Sequence, residues 1–123
     1  MRDDPASAPR ILIVVTTVGT QEQALDIANH LIDKRLAACV NIVPGVRSIF
    51  RWKGEVNDDT EFLLLAKTVE ARYEDVSAAI KSLHAYELPE ILAYPASLAD
   101  DLFAAWVGDA TTRAESVKRP ARK

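Results

Sequence analysis

The chain contains, from residue 38 to residue 52, the stretch ACVNIVPGVRSIFRW, in which β-branched and aromatic residues dominate. Such residues favour strands, and the Pro44-Gly45 pair inside the stretch indicates a kink or bulge in one long strand. Lys53, Gly54 and Glu55 then predict a turn, and residues 56–67 predict the returning strand. The stretch therefore predicts a long β-hairpin, around which the other elements are arranged.

The segments on either side of this hairpin complete the element order. Residues 10–15 are nearly all apolar, which is typical of a buried strand. Thr20 followed by Gln23 is a capping-box pattern, and it predicts a first helix that ends near Lys34-Arg35. Thr68 predicts the cap of a second helix, and residues 91–94 predict a fourth strand. Ser97 with Asp100 predicts the start of a third helix, whose apolar face would be Leu98, Leu102, Ala105 and Trp106.

The resulting order is β-α-β-β-α-β with one further helix at the C-terminus. This is the split β-α-β, ferredoxin-like arrangement of the α+β class, with two helices on one face of an antiparallel sheet. The hairpin is the unusual part, because the strand from Val46 to Trp52 extends about 23 Å past the kink. An arm with apolar side chains and free backbone edges predicts pairing with another chain. Trp52 is expected to pack in that interface, with ligand binding as the alternative.

Length and composition limit the class of protein. The 123 residues suit one domain, which we place at residues 10–110, after a disordered leader (1–9) and before a basic tail (111–123). The tail lacks interleaved aromatic residues and the whole chain has a net charge of −3, so we expect a solvated tail and no nucleic acid partner. No apolar run approaches the roughly 20 residues of a membrane span. The single cysteine excludes a disulfide framework, and we expect a cytoplasmic protein.

Few residues have the chemistry of a catalytic or metal site. The chain has no Gly-rich phosphate loop, no Gly-x-Ser-x-Gly elbow and no evident nucleophile–base pair. We therefore expect that the protein is not an enzyme. His30 falls on the polar face of the first helix and is interpreted as solvated. His84 lies where the second helix ends, close to Tyr86 and Glu90. It is either a helix-end cation favoured by the helix dipole or a ligand to a divalent metal.

Four motifs, in order, resemble a known family, the divalent-cation-tolerance (CutA) proteins. Two of them are Lys34-Arg35-Leu36-Ala37-Ala38-Cys39-Val40-Asn41-Ile42-Val43-Pro44-Gly45 and Phe50-Arg51-Trp52-Lys53-Gly54-Glu55. The others are the strand from Glu61 to Thr68 and the run His84-Ala85-Tyr86-Glu87-Leu88-Pro89-Glu90. The resemblance covers residues 11 to about 108. It implies a ferredoxin-like fold, a homotrimer joined by its hairpins, a role in tolerance of copper and other divalent cations, and no established enzymatic activity.

The family's copper ligands are only partly present. Some members have a Cys at the end of the first strand and a His-His pair after the second helix as copper ligands, where this chain has Thr16 and Leu83-His84. Without a thiolate, any site would be weak and built from imidazole and carboxylate, and we expect His84 and Glu90 to bind Cu²⁺ or another divalent cation weakly. The alternative is a small-molecule-sensing trimer with a ligand cleft between subunits. That cleft would be lined by Trp52, Glu61, Lys67, Tyr86 and Glu90.

Overall fold

A computed structural model describes residues 9–112, and they form one four-stranded antiparallel sheet with three α-helices. The elements are β1 (Ile11–Val18), α1 (Gln21–Asp33), β2 (Cys39–Trp52), β3 (Glu55–Val69), a 3₁₀ turn (Glu70–Arg72), α2 (Tyr73–Leu83), β4 (Leu92–Pro95) and α3 (Asp101–Ala110). The strand order in the sheet is β2-β3-β1-β4, which confirms the predicted α+β class and the split β-α-β order.

The two faces of the sheet differ in what covers them. Strand alternation directs the even-numbered side chains of β1 and β3 toward α1 and α2. The core on that face contains Val14, Val18, Leu64 and Ala66, packed against Ile27 and Leu31 of α1 and Val76 and Ile80 of α2. The odd-numbered residues of β1 and β3 form the opposite face, which we call the open face. Leu92 and Tyr94 of β4 pair with Val15 and Ile13 of β1, so they share this face, and both are exposed at the β4 edge of the sheet.

The predicted hairpin and its kink are confirmed. The β2–β3 ladder runs from Cys39 opposite Lys67 to Trp52 opposite Glu55, with an irregularity between Val43 and Val46. Gly45 there has a φ of 72°, which an L side chain rarely adopts. Strand β1 pairs with β3 only as far as Phe62, so residues 46–61 form a two-stranded extension, which we call the arm.

One predicted helix start is correct and another is wrong. The Thr20 hydroxyl accepts a hydrogen bond from the Gln23 amide at 3.1 Å, as the capping pattern predicts. Thr68, however, does not cap the second helix, because β3 continues to pair with β1 as far as Val69. The Thr68 hydroxyl instead donates to the Leu36 carbonyl at 2.7 Å.

The predicted apolar face of the third helix is also wrong for the single chain. Helix α3 begins at Asp101, later than Ser97, and Asp100 caps it by accepting from the Phe103 amide. Leu98 precedes the helix and is 90% exposed, Leu102 is 82% exposed, and Val107 is the buried residue of α3. The helix is attached at its C-terminal end, where Arg35 donates to the Ala110 carbonyl and Arg72 to that of Thr111, and in the described part of the chain its predicted apolar face is left exposed.

The predicted leader (1–9) and tail (111–123) lie mostly outside the described residues. At the start of the predicted tail, Thr111 is buried and accepts from Arg72, so packing continues to that residue. Within residues 9–112, none of the helices has the length and apolar character needed to cross a membrane.

Candidate functional site

The loop of residues 84–90 is held against the first strand and the first helix. The Gln23 side chain spans its start, donating to the Leu83 carbonyl at 3.0 Å and accepting from the Ala85 amide at 2.6 Å. The His84 Nε2 lies 2.8 Å from the Thr17 carbonyl. These contacts link the end of α2 to both α1 and β1, so the position of the loop is fixed.

Both ring nitrogens of His84 are engaged. The Tyr86 amide donates to Nδ1 at 3.1 Å, so Nδ1 is the acceptor of a neutral ring. The proton therefore lies on Nε2, which donates to the Thr17 carbonyl. In this arrangement the imidazole has no free lone pair for a metal ion.

Tyr86 connects this loop to a buried carboxylate on the open face. Its hydroxyl donates to Glu61 Oε2 at 2.5 Å, and Glu61 is only 3% exposed. Burial, the hydrogen bond and the negative charges of Glu61 and Asp59 all raise the pKa of Tyr86, so the phenol keeps its proton. The Tyr86 ring also packs on His84, with ring centroids 4.7 Å apart.

Gly19 makes room for the Tyr86 hydroxyl. A Cβ at position 19 would lie 3.1 Å from that oxygen, which is tighter than ordinary van der Waals contact. Gly19 follows directly after β1, whose last residue is Val18. The absence of a side chain there lets Tyr86 approach Glu61.

A cleft of about 650 Å³ opens between the arm and the loop of residues 84–90. Its apolar walls are Ile49 and Phe50 from the arm and Leu88 and Pro89 from the loop. Its polar lining consists of Thr17, Ser48, Glu61, Tyr86 and Glu90. Among the described residues it therefore has two carboxylates and no lysine or arginine in its lining, so the cleft disfavours anions.

The structure brings together some of the predicted site residues and separates others. Glu61, Tyr86 and Glu90 line the same cleft. His84 is not part of that lining, but its ring packs against the ring of Tyr86. Lys67 pairs with Ile13 and Cys39 at the opposite end of β3, about 20 Å along the strand from Glu61. Within one chain, Lys67 therefore does not reach the cleft.

Trp52 lies at the tip of the arm and does not line the cleft. The Lys53 ammonium is 5.5 Å from the centre of its ring and pairs with Glu87 at 3.3 Å. The same loop of residues 84–90 thus extends beside the arm toward its tip. Two predicted ligand-binding residues, Trp52 and Lys67, would meet this cleft only if a second chain supplied them.

Sequence reasoning missed Thr17, Ser48 and Phe50 as cleft residues. Strand alternation places Ser48 and Phe50 on the same face of β2 as Val46, and the observed register places Val46 opposite Glu61. The alternation alone shows that these residues share a face, but only the pairing register across the kink shows that this face is the one that carries Glu61.

Position 16, one of the copper-ligand positions that the resemblance implies, offers no metal ligand here. Thr16 is 2% exposed and faces the core, opposite Leu64, and its hydroxyl has no hydrogen-bond partner in the described part of the chain. Residues 9–112 contain no group of three or more His, Cys, Asp or Glu side chains placed to bind a metal ion. With both His84 nitrogens engaged as well, the residues present do not fit a preformed copper site.

Comparisons with known proteins give a consistent result. Residues 12–110 match the family model for the CutA1 divalent ion tolerance protein. The divalent-cation tolerance protein CutA of Thermus thermophilus is 44% identical over 99 residues, covering 80% of this chain and 96% of that protein. The chloroplastic protein CutA of Arabidopsis thaliana is 35% identical over 111 residues, covering 90% of this chain and 60% of that one.

Solved structures agree in fold. The divalent cation tolerance protein from Thermus thermophilus superposes with a TM-score of 0.80 at 43% identity, covering 83% of this chain and 99% of that one. CutA1 from Oryza sativa gives a TM-score of 0.83 at 34% identity, covering 87% and 98%.

Proposed function

Because the chain belongs to the CutA1 divalent ion tolerance protein family, we propose that it acts in tolerance of divalent cations as a homotrimer, without enzymatic activity of its own. The test is growth under raised Cu²⁺ of cells that lack the gene, compared with cells in which the gene is restored. We expect restoration to recover growth. Equal growth of the two strains across a copper series would contradict the role.

The arm is the observation that best supports self-association. Residues 46–61 extend beyond β1, and on the arm Ile49 is 66% exposed and Val56 63% exposed. Further apolar side chains, Leu92 and Tyr94, are exposed on the open face. Apolar surface next to an unpaired strand edge favours pairing with another copy. The number of three subunits comes from the family resemblance.

Trp52 provides a point test of the assembly. A large aromatic side chain at an interface often contributes about 2 kcal/mol or more to association. We expect Trp52→Ala to weaken the assembly, measured as a shift of the dissociation midpoint in a dilution series. Arg51→Ala, which changes the neighbouring exposed residue on the other face of the strand, is the matched control. An unchanged midpoint for Trp52→Ala would remove Trp52 from the interface.

Weak binding of Cu²⁺ or another divalent cation at His84 and Glu90 is a separate proposal. The metal would not enter a preformed site, because the His84 ring would first have to give up one of its present hydrogen bonds. Calorimetric titration with Cu²⁺ tests it, with His84→Ala expected to reduce uptake strongly and His30→Ala hardly at all. Equal uptake by wild type and His84→Ala would refute the site.

The second candidate function is a small-molecule sensor that binds its ligand in a cleft between subunits. The specific observation in its favour is the 650 Å³ cleft with the buried Glu61 in its lining. In an assembly, Trp52 and Lys67 of a neighbouring chain would complete the predicted ligand set. A thermal-shift screen of small molecules tests this function, because a ligand that binds the folded state raises the melting temperature.

Location and partners are proposed from the sequence. We propose a cytoplasmic protein without nucleic acid or membrane partners, although relatives are found elsewhere, such as the chloroplastic protein of Arabidopsis thaliana. Cell fractionation followed by detection of the chain tests the location. Recovery in a membrane or an exported fraction would contradict it.

A further inference from the structure

Glu61 is a buried carboxylate whose charge is not balanced within the described part of its own chain. It is 3% exposed, and it accepts a hydrogen bond at Oε2 from the neutral Tyr86 hydroxyl. None of the ion pairs formed among residues 9–112 includes it. A buried charge is costly unless it is both paired and hydrogen-bonded, so Glu61 supplies one half of a buried ion pair and lacks the other.

Lys67 is the one basic residue among the strand residues of the open face. It is half-buried, and it lies at the end of β3 that is remote from the arm. The strand arginines, Arg47 and Arg51, lie on the other face, because they stand opposite even-numbered residues of β3. Like Glu61, Lys67 takes part in no ion pair within the described part of the chain. The open face therefore carries a carboxylate and an ammonium group that both lack a counter-charge.

Glu61 and Lys67 do not meet within one chain. They lie about 20 Å apart along β3, whereas the charged groups of an ion pair lie within about 4 Å of each other. Identical chains arranged head to tail in a ring remove this mismatch, because each chain offers Glu61 to one neighbour and Lys67 to the other. Both charges of every chain are then paired, whereas a free cation bound at Glu61 would leave Lys67 without a partner.

From this complementarity we infer that Lys67 of one chain enters the cleft of the next chain and pairs with the Glu61 oxygen that Tyr86 leaves unused. The inference rests on the proposed homotrimer, and it names one contact that stabilises that assembly. One such pair forms at each interface, so the closed ring leaves neither charge unpaired.

The lining of the cleft suits a lysine side chain. Glu61 and Glu90 supply negative charge, which attracts an ammonium group. Phe50 and Leu88 form apolar walls, and these suit the methylene stem that lysine buries while its ammonium group makes polar contacts. The same lining that disfavours an anion therefore favours the side chain that the neighbouring open face supplies.

The test is a double-mutant cycle on the assembly of the full chain. Glu61→Gln keeps an acceptor for the Tyr86 hydroxyl but removes the charge, and Lys67→Met keeps an unbranched apolar stem without the ammonium group. The midpoint of dissociation is measured for wild type, both single variants and the double variant by sedimentation velocity in a dilution series. We expect each single exchange to raise the midpoint concentration at least about tenfold, because it leaves the other charge buried and unpaired.

The double variant shows whether the two residues touch. It should dissociate within about threefold of the weaker single variant, because either exchange alone already removes the pair. Changes that lie about 20 Å apart in one chain act independently, so without contact between chains the two effects would multiply. Lys81→Met is the matched control, since it removes an exposed lysine of α2 on the other side of the sheet, and it should shift the midpoint less than about twofold.

A crystal structure of the unmodified assembly decides the same point even if Glu61→Gln does not fold. We expect Lys67 Nζ of one chain within about 4 Å of the Glu61 carboxylate of the next. A longer separation, or effects that multiply in the double variant while the wild type is a trimer, would overturn the pair and leave the proposed homotrimer standing. A wild-type chain that stays a monomer would overturn both.

Discussion

Thr16→Val should stabilise the protein, because the wild-type hydroxyl is buried without a partner. Thr16 is 2% exposed, faces the core opposite Leu64, and its Oγ1 has no hydrogen-bond partner among residues 9–112. A buried unsatisfied polar group costs about 1–3 kcal/mol. Valine has nearly the same shape and suits a strand, so the exchange removes that cost without opening a cavity.

We expect a gain of about 1 kcal/mol in the free energy of unfolding, taking the lower end of that range because local shifts relieve part of the cost. For a domain of this size the gain corresponds to a rise of about 4 °C in the melting temperature. Urea unfolding of both proteins at one fixed protein concentration measures it, since assembly makes stability depend on concentration.

Thr68→Val is the matched control for this exchange. Thr68 is equally buried in the same sheet, but its hydroxyl donates to the Leu36 carbonyl at 2.7 Å. The same chemical change should therefore destabilise by about 1–2 kcal/mol, because it leaves the carbonyl without its donor. Equal effects of the two exchanges, or a loss of stability in Thr16→Val, would refute the reasoning that hydrogen bonding separates these threonines.

Three further predictions concern the turn, the loop and the tail. Lys53 and Gly54 both have positive φ, so Lys53→Asn should stabilise the two-residue turn by about 0.5 kcal/mol in urea unfolding; a loss of stability would count against it. The pKa of Tyr86 is raised in the folded protein, so its phenol stabilises the fold fully at pH values below the pKa of about 10 that it has in the unfolded chain. The difference in unfolding free energy between wild type and Tyr86→Phe should therefore be constant to about pH 9 and shrink above about pH 10. A difference that stays constant to about pH 11 would contradict this. Deletion of residues 113–123, which are mostly charged, should leave the melting temperature and the assembled mass unchanged; a reduced mass would make the tail structural.

The fold could be predicted from the sequence wherever one local signal determined an element. Strand alternation and the Pro44-Gly45 pair predicted the kinked hairpin, and the Thr20–Gln23 spacing predicted the start of α1. Thr68 was misinterpreted because a capping residue is recognised locally, while its place in β3 depends on pairing with the distant β1. The stripe of α3 was misinterpreted because helical periodicity identifies an apolar face but not what covers it.

The site was less predictable than the fold. Glu61, Tyr86 and Glu90 could be selected as residue types, yet their meeting depends on the register across the kink and on how Gln23 and Thr17 hold the loop. Those contacts join residues 60 or more positions apart. Lys67 was predicted to line a cleft between subunits, and within one chain about 20 Å along β3 separates it from Glu61.

Assembly through the arm is the central claim, and sedimentation equilibrium of the full chain tests it most directly. The chain mass is 13.5 kDa, and the proposal predicts a single species of three times that mass at micromolar concentration. The sample should be measured without a purification tag, at several concentrations and rotor speeds. A mass of 13.5 kDa that does not change with concentration would contradict the claim.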